Sequence, residues 1–179
     1  MNFNYLKYRL KAKGRHGTHS PFVYAFVEKV LRLSKETIFQ TKHLNKNQRT
    51  LLQLIDYLKV NTTLLFEKDE GILSLIQENY PAINCAKMIH FEANKNYGNT
   101  LFISDPKQIN EEAFHFLKQI KNQNNCSLYL TNIHQNEETE LIWDEIRKLE
   151  NFPLSLDFWE AGFLIQDNSF KIKQHFLLK

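Results

Sequence analysis

The sequence predicts an α/β protein with N-terminal helices, a mostly parallel sheet and an antiparallel pair of strands near the end of the chain. Beyond residue 60, short apolar runs alternate with stretches of helical periodicity, a pattern typical of parallel sheets flanked by helices. The last segments, PLSLDFWEAGFLIQD and KQHFLLK, contain strand-like runs with no helical pattern between them. With 179 residues, the chain has the size of one domain that buries most of its apolar surface.

Helical patterns dominate the first 60 residues. The first helix is predicted over 3–13, the second from Ser20 and the third over 48–59. Ser20 followed by Pro21 marks a helix start, because the hydroxyl can cap free backbone N–H groups and proline suits the first turn. We expect residues 1–60 to form a helical segment that packs on a core of residues 61–179 within a single domain.

Strands and helices alternate through the core. The predicted strands cover 62–66, 84–91, 99–104 and 127–131, and the predicted helices cover 70–79, 109–122 and 137–149. Asn136 begins the last helix, where the acidic Glu137 and Glu138 suit the positive N-terminal end.

The composition sets limits on the class of protein. Hydrophobic residues make up 42% of the chain, and the net charge of +3 permits an anionic partner without requiring one. The two cysteines, Cys85 and Cys126, form no metal-type pair and are expected to be buried free thiols in a reducing compartment. No apolar run reaches the roughly 18 residues of a membrane span, so we expect a cytoplasmic protein without a membrane segment.

Three segments of the sequence are similar to parts of one known family. They are RHGTHSPFVYAFVEKVL near the start, YLTNIHQNEETELIWDEI in the last third and LDFWEAGFLIQDNSFKIKQHFLLK at the end. The second segment matches a D-D-I-H-W-S pattern at Ile133 and His134, and Trp143 matches a tryptophan in the following helix. Together they resemble a bacterial family of class I S-adenosylmethionine-dependent methyltransferases. The resemblance covers most of the chain and implies a Rossmann-like methyltransferase sheet.

The turn after the first strand departs from that family where the cofactor would bind. Aligning the family's loop, about E-x-G-T-S-x-G-I, on Gly71 and Ile72 puts Glu67 in place of a glycine that lets the backbone approach the cofactor. The cofactor's carboxylate favours helix N-terminal N–H groups, yet Glu67, Asp69 and Glu70 supply negative charge. Like charges about 4 Å apart cost on the order of 4 kcal/mol, about a thousandfold in affinity. S-adenosylmethionine binding is therefore doubtful, and Gly71 is a vestigial cofactor residue.

A second departure follows the next strand. Glu92 ends MIHFE, where the resemblance implies an acid that bonds the ribose hydroxyls of the cofactor. ANKNYG then leads directly into NTLFISD, so the family's third strand and its helix are missing. The loss removes one wall of the adenine pocket and leaves strand two as a sheet edge. We expect this edge to pair with a second copy or a related protein.

The resemblance also supplies candidate catalytic residues. Asp105 lies one position beyond the acid of the family's F-I-D-G-x-H motif, and Asn132 stands where the D-D-I-H motif has its second acid. Asp105 and Asn132 alone make a poor site for a hard divalent cation, so no metal is predicted. In an active enzyme, Asp105, Asn132 and His134 would face the methyl acceptor, with His134 as general base.

Basic residues near the N-terminus allow two further interpretations. The three residues Arg15, His16 and His19, with the following Ser20, could hold an anion at a helix start. We expect instead a structural role, in which Ser20 caps the helix and the histidines bond nearby backbone carbonyls. The first helix carries basic residues interleaved with Leu6, Leu10 and two tyrosines. We expect a solvated basic face over a packed leucine stripe. Binding of nucleic acid or of an anionic membrane by this helix is the alternative.

Two main functional hypotheses follow. The first is a degenerate methyltransferase-like protein with a binding or scaffolding role and no catalysis. The second is an active S-adenosylmethionine-dependent methyltransferase acting on an unidentified small molecule or macromolecule. Nucleic-acid binding through the first helix is a third, and it would weaken steeply with salt.

Overall fold

The computed structural model describes residues 3–13, 20–32, 42–67, 69–88, 97, 99–120, 126–167 and 169–179. Its helices are α1 (Phe3–Lys11), α2 (Pro21–Phe26, continued as the π-helical stretch Val27–Leu31), α3 (Lys46–Leu58), α4 (Glu70–Asn79), α5 (Glu111–Gln119) and α6 (Glu137–Ile146), with a 3-10 turn at Pro106–Gln108. Its strands are β1 (Thr62–Leu65), β2 (Asn84–Lys87), β3 (Thr100–Ser104), β4 (Cys126–Thr131), β5 (Leu154–Asp157), β6 (Ala161–Gln166) and β7 (Gln174–Leu177).

The strands form one mixed sheet in the order β2-β1-β3-β4-β6-β5-β7. Strands β1 to β4 run parallel, β6 is antiparallel to both β4 and β5, and β7 runs parallel beside β5. This Rossmann-like topology confirms the α/β fold class, the mostly parallel sheet and the antiparallel part near the C-terminus. The antiparallel hairpin, β5–β6, lies within the first of the two C-terminal segments, and the expected antiparallel pairing of the second segment is wrong, because β7 runs parallel beside β5.

Local capping explains why the predicted helices begin where they do. Asp69 and Asn110 accept hydrogen bonds from backbone N–H groups at the starts of α4 and α5, and Ser20 does the same for α2. Helix α5 begins at Glu111 and not at 109 as predicted, because Asn110 caps it and a separate 3-10 turn precedes the cap. The predicted strand over 84–91 is described only to Met88, and residues 33–41 after α2 also lie outside the described residues.

Helices cover both faces of the sheet. On one face, α2 and α3 pack directly on the strands: the ring of Phe26 stacks on that of Phe163 with centroids 5.5 Å apart. On the other face, Phe116 of α5 and Trp143 of α6 are buried against Phe102 and Leu164. The sheet is therefore the middle of three layers, and the N-terminal helices share its core instead of forming a separate one.

Helix α1 buries a different face from the one that the sequence predicted. Its buried side chains are Tyr8 and Ala12, whereas Leu6 is 41% exposed and Leu10 is 80% exposed. The expected packed leucine stripe is therefore wrong. The tyrosine face is inward because the Tyr8 hydroxyl donates to the backbone carbonyls of Asp157 and Leu178, at 2.8 and 2.6 Å.

Helix α1 also leads into the far edge of the sheet. Lys13 forms a parallel bridge with Leu178, and its N–H donates to the Leu177 carbonyl at 2.8 Å. The start of the described chain is thereby joined to the last strand.

Candidate functional site

The strand order changes direction between β1 and β3, which is where α/β sheets commonly bind ligands. At the carboxyl ends of these strands lies a cleft of about 250 Å³, lined by side chains from the turns after β1, β3 and β4. A second cavity of about 270 Å³ adjoins it beneath the start of α3 and shares Asp69, Ile72, Thr131 and Asn132 with it. We call the two together the switch-point cleft.

The turn after β1 supplies the side chain that caps the N-terminus of the following helix, α4. The Ile72 N–H donates to Asp69 Oδ1 at 3.0 Å, so the first turn of α4 is capped by a carboxylate of the chain. Glu67 forms a 2.7 Å ion pair with Lys87 of β2. Gly71 lies in the first turn of α4, and a Cβ there would come within 3.2 Å of Asp69 Oδ1. The glycine thus leaves room for the capping carboxylate.

Asp105 and Asn132 meet in the same cleft. Asp105 caps the 3-10 turn by accepting from the Lys107 N–H at 3.0 Å. Its other oxygen accepts from the Asn132 side-chain amide at 2.8 Å. Asn132 adopts the left-handed conformation, with φ of 55°, which asparagine tolerates better than most residues. Sequence reasoning therefore named two residues that the fold brings into contact.

The charge of the switch-point cleft is mainly negative. Glu67, Asp69 and Asp105 line its first cavity, and Lys107 is the one basic side chain among the described residues that do so. The lining favours neutral or cationic groups over anions.

Tyr129 is a feature of this cleft that sequence reasoning missed. It lies on β4, is fully buried and lines the second cavity. Its hydroxyl has no hydrogen-bond partner in the part of the chain that the structure describes. Burial raises the pKa of this phenol and the nearby charge of Glu160 raises it further, so the group remains a neutral hydroxyl. The only signal was a tyrosine within the aliphatic run CSLYL.

Apart from the switch-point cleft, the structure has a second cleft, of about 250 Å³, between α1, α6 and the ends of β5 and β7. At its base, Asp157 is 2% exposed and accepts three hydrogen bonds. The donors are Trp143 Nε1 at 3.1 Å, the Trp159 N–H at 3.0 Å and His134 Nε2 at 2.9 Å. We call these four residues and Glu140 the Asp157 cluster.

His134 lies between two carboxylates in this cluster. Its Nδ1 is 3.1 Å from Glu140 Oε1, while its Nε2 faces Asp157. Both partners only accept hydrogen bonds when ionised, so the geometry suits an imidazolium that donates from both nitrogens. Burial lowers the pKa of His134, but the hydrogen bonds and charges of Asp157 and then Glu140 outweigh it, and the pKa is raised overall.

Aromatic rings tie helix α1 to the Asp157 cluster. The ring of Trp159 stacks on His134, with centroids 4.6 Å apart and planes 14° apart. Tyr8 and Tyr5 of α1 pack against the Trp159 ring at 5.1 and 5.0 Å. Trp159 has φ of 72°, a backbone conformation that a bulky residue adopts only when its surroundings hold it there. The cluster therefore holds α1 in position.

The candidate residues fall into separate places. Asp105 and Asn132 share the switch-point cleft with Gly71, whereas His134 lies in the second cleft with both ring nitrogens engaged. Ser20 caps α2, accepting from the Val23 N–H at 3.4 Å. The remaining candidates, Arg15, His16, His19 and Glu92, lie outside the described residues.

No group of three or more metal-binding side chains was found within the described ranges. In the same ranges, no helix combines the length and apolarity that crossing a bilayer requires. Comparison with known proteins gave no match to a family model, to a curated protein or to a solved structure. The methyltransferase resemblance thus stays an interpretation of the sequence.

Proposed function

We propose that this chain is a methyltransferase-like protein whose S-adenosylmethionine position has lost efficient binding, and that it serves as a binding or scaffolding protein without catalysis. The sequence resemblance supplies the ancestry. The turn between β1 and α4 supplies the reason for the loss.

The strand order supports this ancestry. In the class I methyltransferase sheet the third strand lies at an edge, so its removal would leave the second strand outermost. Here β2 is outermost among the described strands on that side, and β3 pairs directly with β1. The succession of β4, α6 and the β5–β6 hairpin also follows the layout of that family.

The capping of α4 by Asp69 is the observation that carries the proposal. A cofactor carboxylate at this position would need the N–H groups that begin the helix. Asp69 already accepts from one of them, and Glu67 adds a second negative charge at the end of β1. A bound carboxylate would therefore lose a donor and meet two like charges.

Calorimetric titration with S-adenosylmethionine and S-adenosylhomocysteine tests the loss. We expect no heat of binding up to about 1 mM ligand. As a matched gain-of-function control, Glu67→Gly with Asp69→Asn restores the glycine and removes both charges while keeping an oxygen to cap α4, and it should bind more tightly than the wild type. Micromolar binding by the wild-type chain would overturn the proposal.

If the chain has a binding role, we expect a ligand other than S-adenosylmethionine to contact the Tyr129 hydroxyl. A buried donor without a partner is costly, and a ligand oxygen or nitrogen that accepts from it would remove that cost. The carboxylates nearby favour a neutral or cationic molecule of this kind.

The edge of β2 is the proposed contact for a partner strand. The Asn84 N–H donates to the carbonyl of Asn61, just before β1, and the Met88 N–H to that of Leu65 in β1. The N–H groups of Cys85 and Lys87 therefore point away from the sheet. Lys87→Pro would remove an outward donor, whereas Lys87→Ala removes only the side chain. We expect the proline variant alone to weaken self-association in sedimentation experiments; equal behaviour of both variants would rule out strand pairing here.

The alternative function is an active methyltransferase with an open cofactor site. The contact between Asp105 and Asn132 at the strand ends favours it, because it gathers polar groups where an acceptor would lie. Glu92 would hold the ribose, whereas His134, which lies in the second cleft with both ring nitrogens engaged, is not placed to act as the base. Methyl transfer that disappears in Glu92→Ala and Asp105→Ala would establish this alternative.

A further inference from the structure

Helix α1 presents an apolar ridge to solvent. Leu6 and Leu10 are one turn apart on the same side of the helix, 41% and 80% exposed. Their direction is fixed, because the opposite side is held inward by Tyr8 and by the buried Ala12. The ridge is therefore a stable feature of the folded chain.

Basic side chains border this ridge on both sides. At 3.6 residues per turn, Lys7 and Lys11 lie on one flank of the helix and Arg9 on the other, and Lys13 follows just beyond the helix end. All four are exposed. The C-terminal side of the patch gains Lys179, whose backbone N–H donates to the Lys13 carbonyl at 3.3 Å.

Acidic residues are scarce around the ridge. The sequence from Met1 to Val27 contains no Asp or Glu. The carboxylates of Glu140, Asp144 and Asp157 border the second cleft together with Lys7 and Lys11, and the charge of Glu160 reaches the inward Tyr8. Arg9 and Lys13 are exposed and do not line that cleft.

An apolar ridge flanked by basic residues fits some classes of anionic partner better than others. Nucleic-acid phosphates would use the basic residues but gain nothing from two leucines at the centre of the patch. A helix of nine residues is about 14 Å long, too small to bury the roughly 800 Å² per partner of a stable protein interface. A lipid surface rewards both features, because leucines enter the acyl boundary while lysines and arginines remain among anionic headgroups.

We propose that the Leu6–Leu10 ridge of α1 docks the folded protein peripherally onto a bilayer surface that contains anionic lipids. The helix lies parallel to the membrane plane, with the two leucines inserted and the flanking basic residues at headgroup level. This contact is independent of any ligand in the switch-point cleft.

Vesicle co-sedimentation of the full chain tests the proposal. We expect binding to phosphatidylcholine vesicles that contain about one third phosphatidylserine, at least tenfold weaker binding to pure phosphatidylcholine, and weakening by salt. No binding to the anionic vesicles at low ionic strength would overturn the proposal.

Matched variants separate insertion from charge attraction alone. Leu6→Ser with Leu10→Ser should reduce binding about tenfold, whereas Leu141→Ser, the same change at an exposed leucine of α6, should leave it unchanged. Lys13→Glu should reduce it, whereas Lys148→Glu on the α6 side should not. Because all these side chains are exposed, the fold is retained, as unchanged thermal unfolding would verify.

Two outcomes would contradict an inserted helix. The first is full vesicle binding by the double serine variant. The second is binding of a DNA duplex as tightly as of vesicles, with the same affinity for the wild type and the double serine variant. That result would make α1 a general polyanion site.

Discussion

The two clefts use similar side chains in opposite ways. In the Asp157 cluster, hydrogen bonds join residues far apart in the chain: the Tyr8 hydroxyl and the Asp157 carbonyl are separated by 149 residues. In the switch-point cleft, Asp69 and Asp105 accept from backbone N–H groups three and two residues away. One cleft therefore joins distant elements, while the carboxylates of the other mainly end the turns to which they belong.

The two clefts also differ in whether their buried polar groups have hydrogen-bond partners within the fold. In the Asp157 cluster, both carboxylate oxygens of Asp157 are occupied by donors of the chain. In the switch-point cleft, a buried hydroxyl of Tyr129 has no partner among the described residues. Polar groups that are satisfied within the fold stabilise it, whereas a buried group left unsatisfied costs stability.

The largest expected effect is on the Asp157 cluster. Asp157→Asn would turn one acceptor into a donor facing Trp143 and His134, and we expect the free energy of unfolding to fall by about 3 kcal/mol. Urea unfolding followed by fluorescence measures it. The matched change Asp69→Asn keeps an oxygen that can cap α4 and should cost less than about 1 kcal/mol. Similar losses for the two variants would abolish the contrast between the clefts.

The same phenylalanine substitution in both clefts sharpens the comparison. Tyr8→Phe removes a donor to the carbonyls of Asp157 and Leu178 and should cost about 1 to 2 kcal/mol. Tyr129→Phe removes a hydroxyl without a partner and should leave the free energy of unfolding unchanged or raise it by up to about 1 kcal/mol. Thermal and urea unfolding of both variants would check this, and a large loss in Tyr129→Phe would mean that its hydroxyl is bonded after all.

The pH dependence of stability should carry the signature of His134. Because its folded-state pKa is raised above the ordinary value of 6.5, its contribution is fully present below pH 6.5 and is lost as pH rises through the folded-state pKa. The difference in unfolding free energy between wild type and His134→Gln should therefore shrink as the pH rises above 6.5. A constant difference across that range would mean that the imidazole is uncharged in the folded state.

His175 provides an internal control of opposite sign. Burial, and then the charge of Arg147, lowers the pKa of His175 below 6.5. Its neutral form is preferred in the fold, so stability is present above pH 6.5 and is lost as pH falls below it. The profile of His175→Gln relative to wild type should accordingly diverge on the acidic side, away from the range in which His134 acts.

The smallest effect is expected at the rim of the switch-point cleft. Glu67 and Lys87 form an ion pair whose side chains are 47% and 42% exposed. Glu67→Gln should change the free energy of unfolding by less than about 1 kcal/mol, and less still in high salt. A larger loss would make Glu67 a structural residue and weaken its assignment as an obstacle to cofactor binding.

The sequence predicted those features that depend on neighbours in the chain. The bounds of α4 were predicted because the turn residues around Asp69 mark a helix start within a few positions, and β1 was predicted because its apolar run is short and bounded. The long-range contacts of Asp157 were not predictable, since the donors Trp143, His134 and Tyr8 lie 14, 23 and 149 residues before it in the chain. Periodicity also misassigned α1, because Leu6 and Leu10 form one apolar stripe and Tyr8 with Ala12 another, and only tertiary contacts decide which one is buried.

The bond between Tyr8 and Leu178 also constrains the order in which the protein can be completed during synthesis. The two residues are separated by 170 positions, so α1 leaves the ribosome long before the strand that will hold it exists. Contacts that close so long a segment form slowly, because chain entropy must be lost before they can compensate for it. Helix α1, which is made before all the described strands, is therefore among the last elements to reach its final position, and until β7 is made its tyrosine face is as exposed as its leucines.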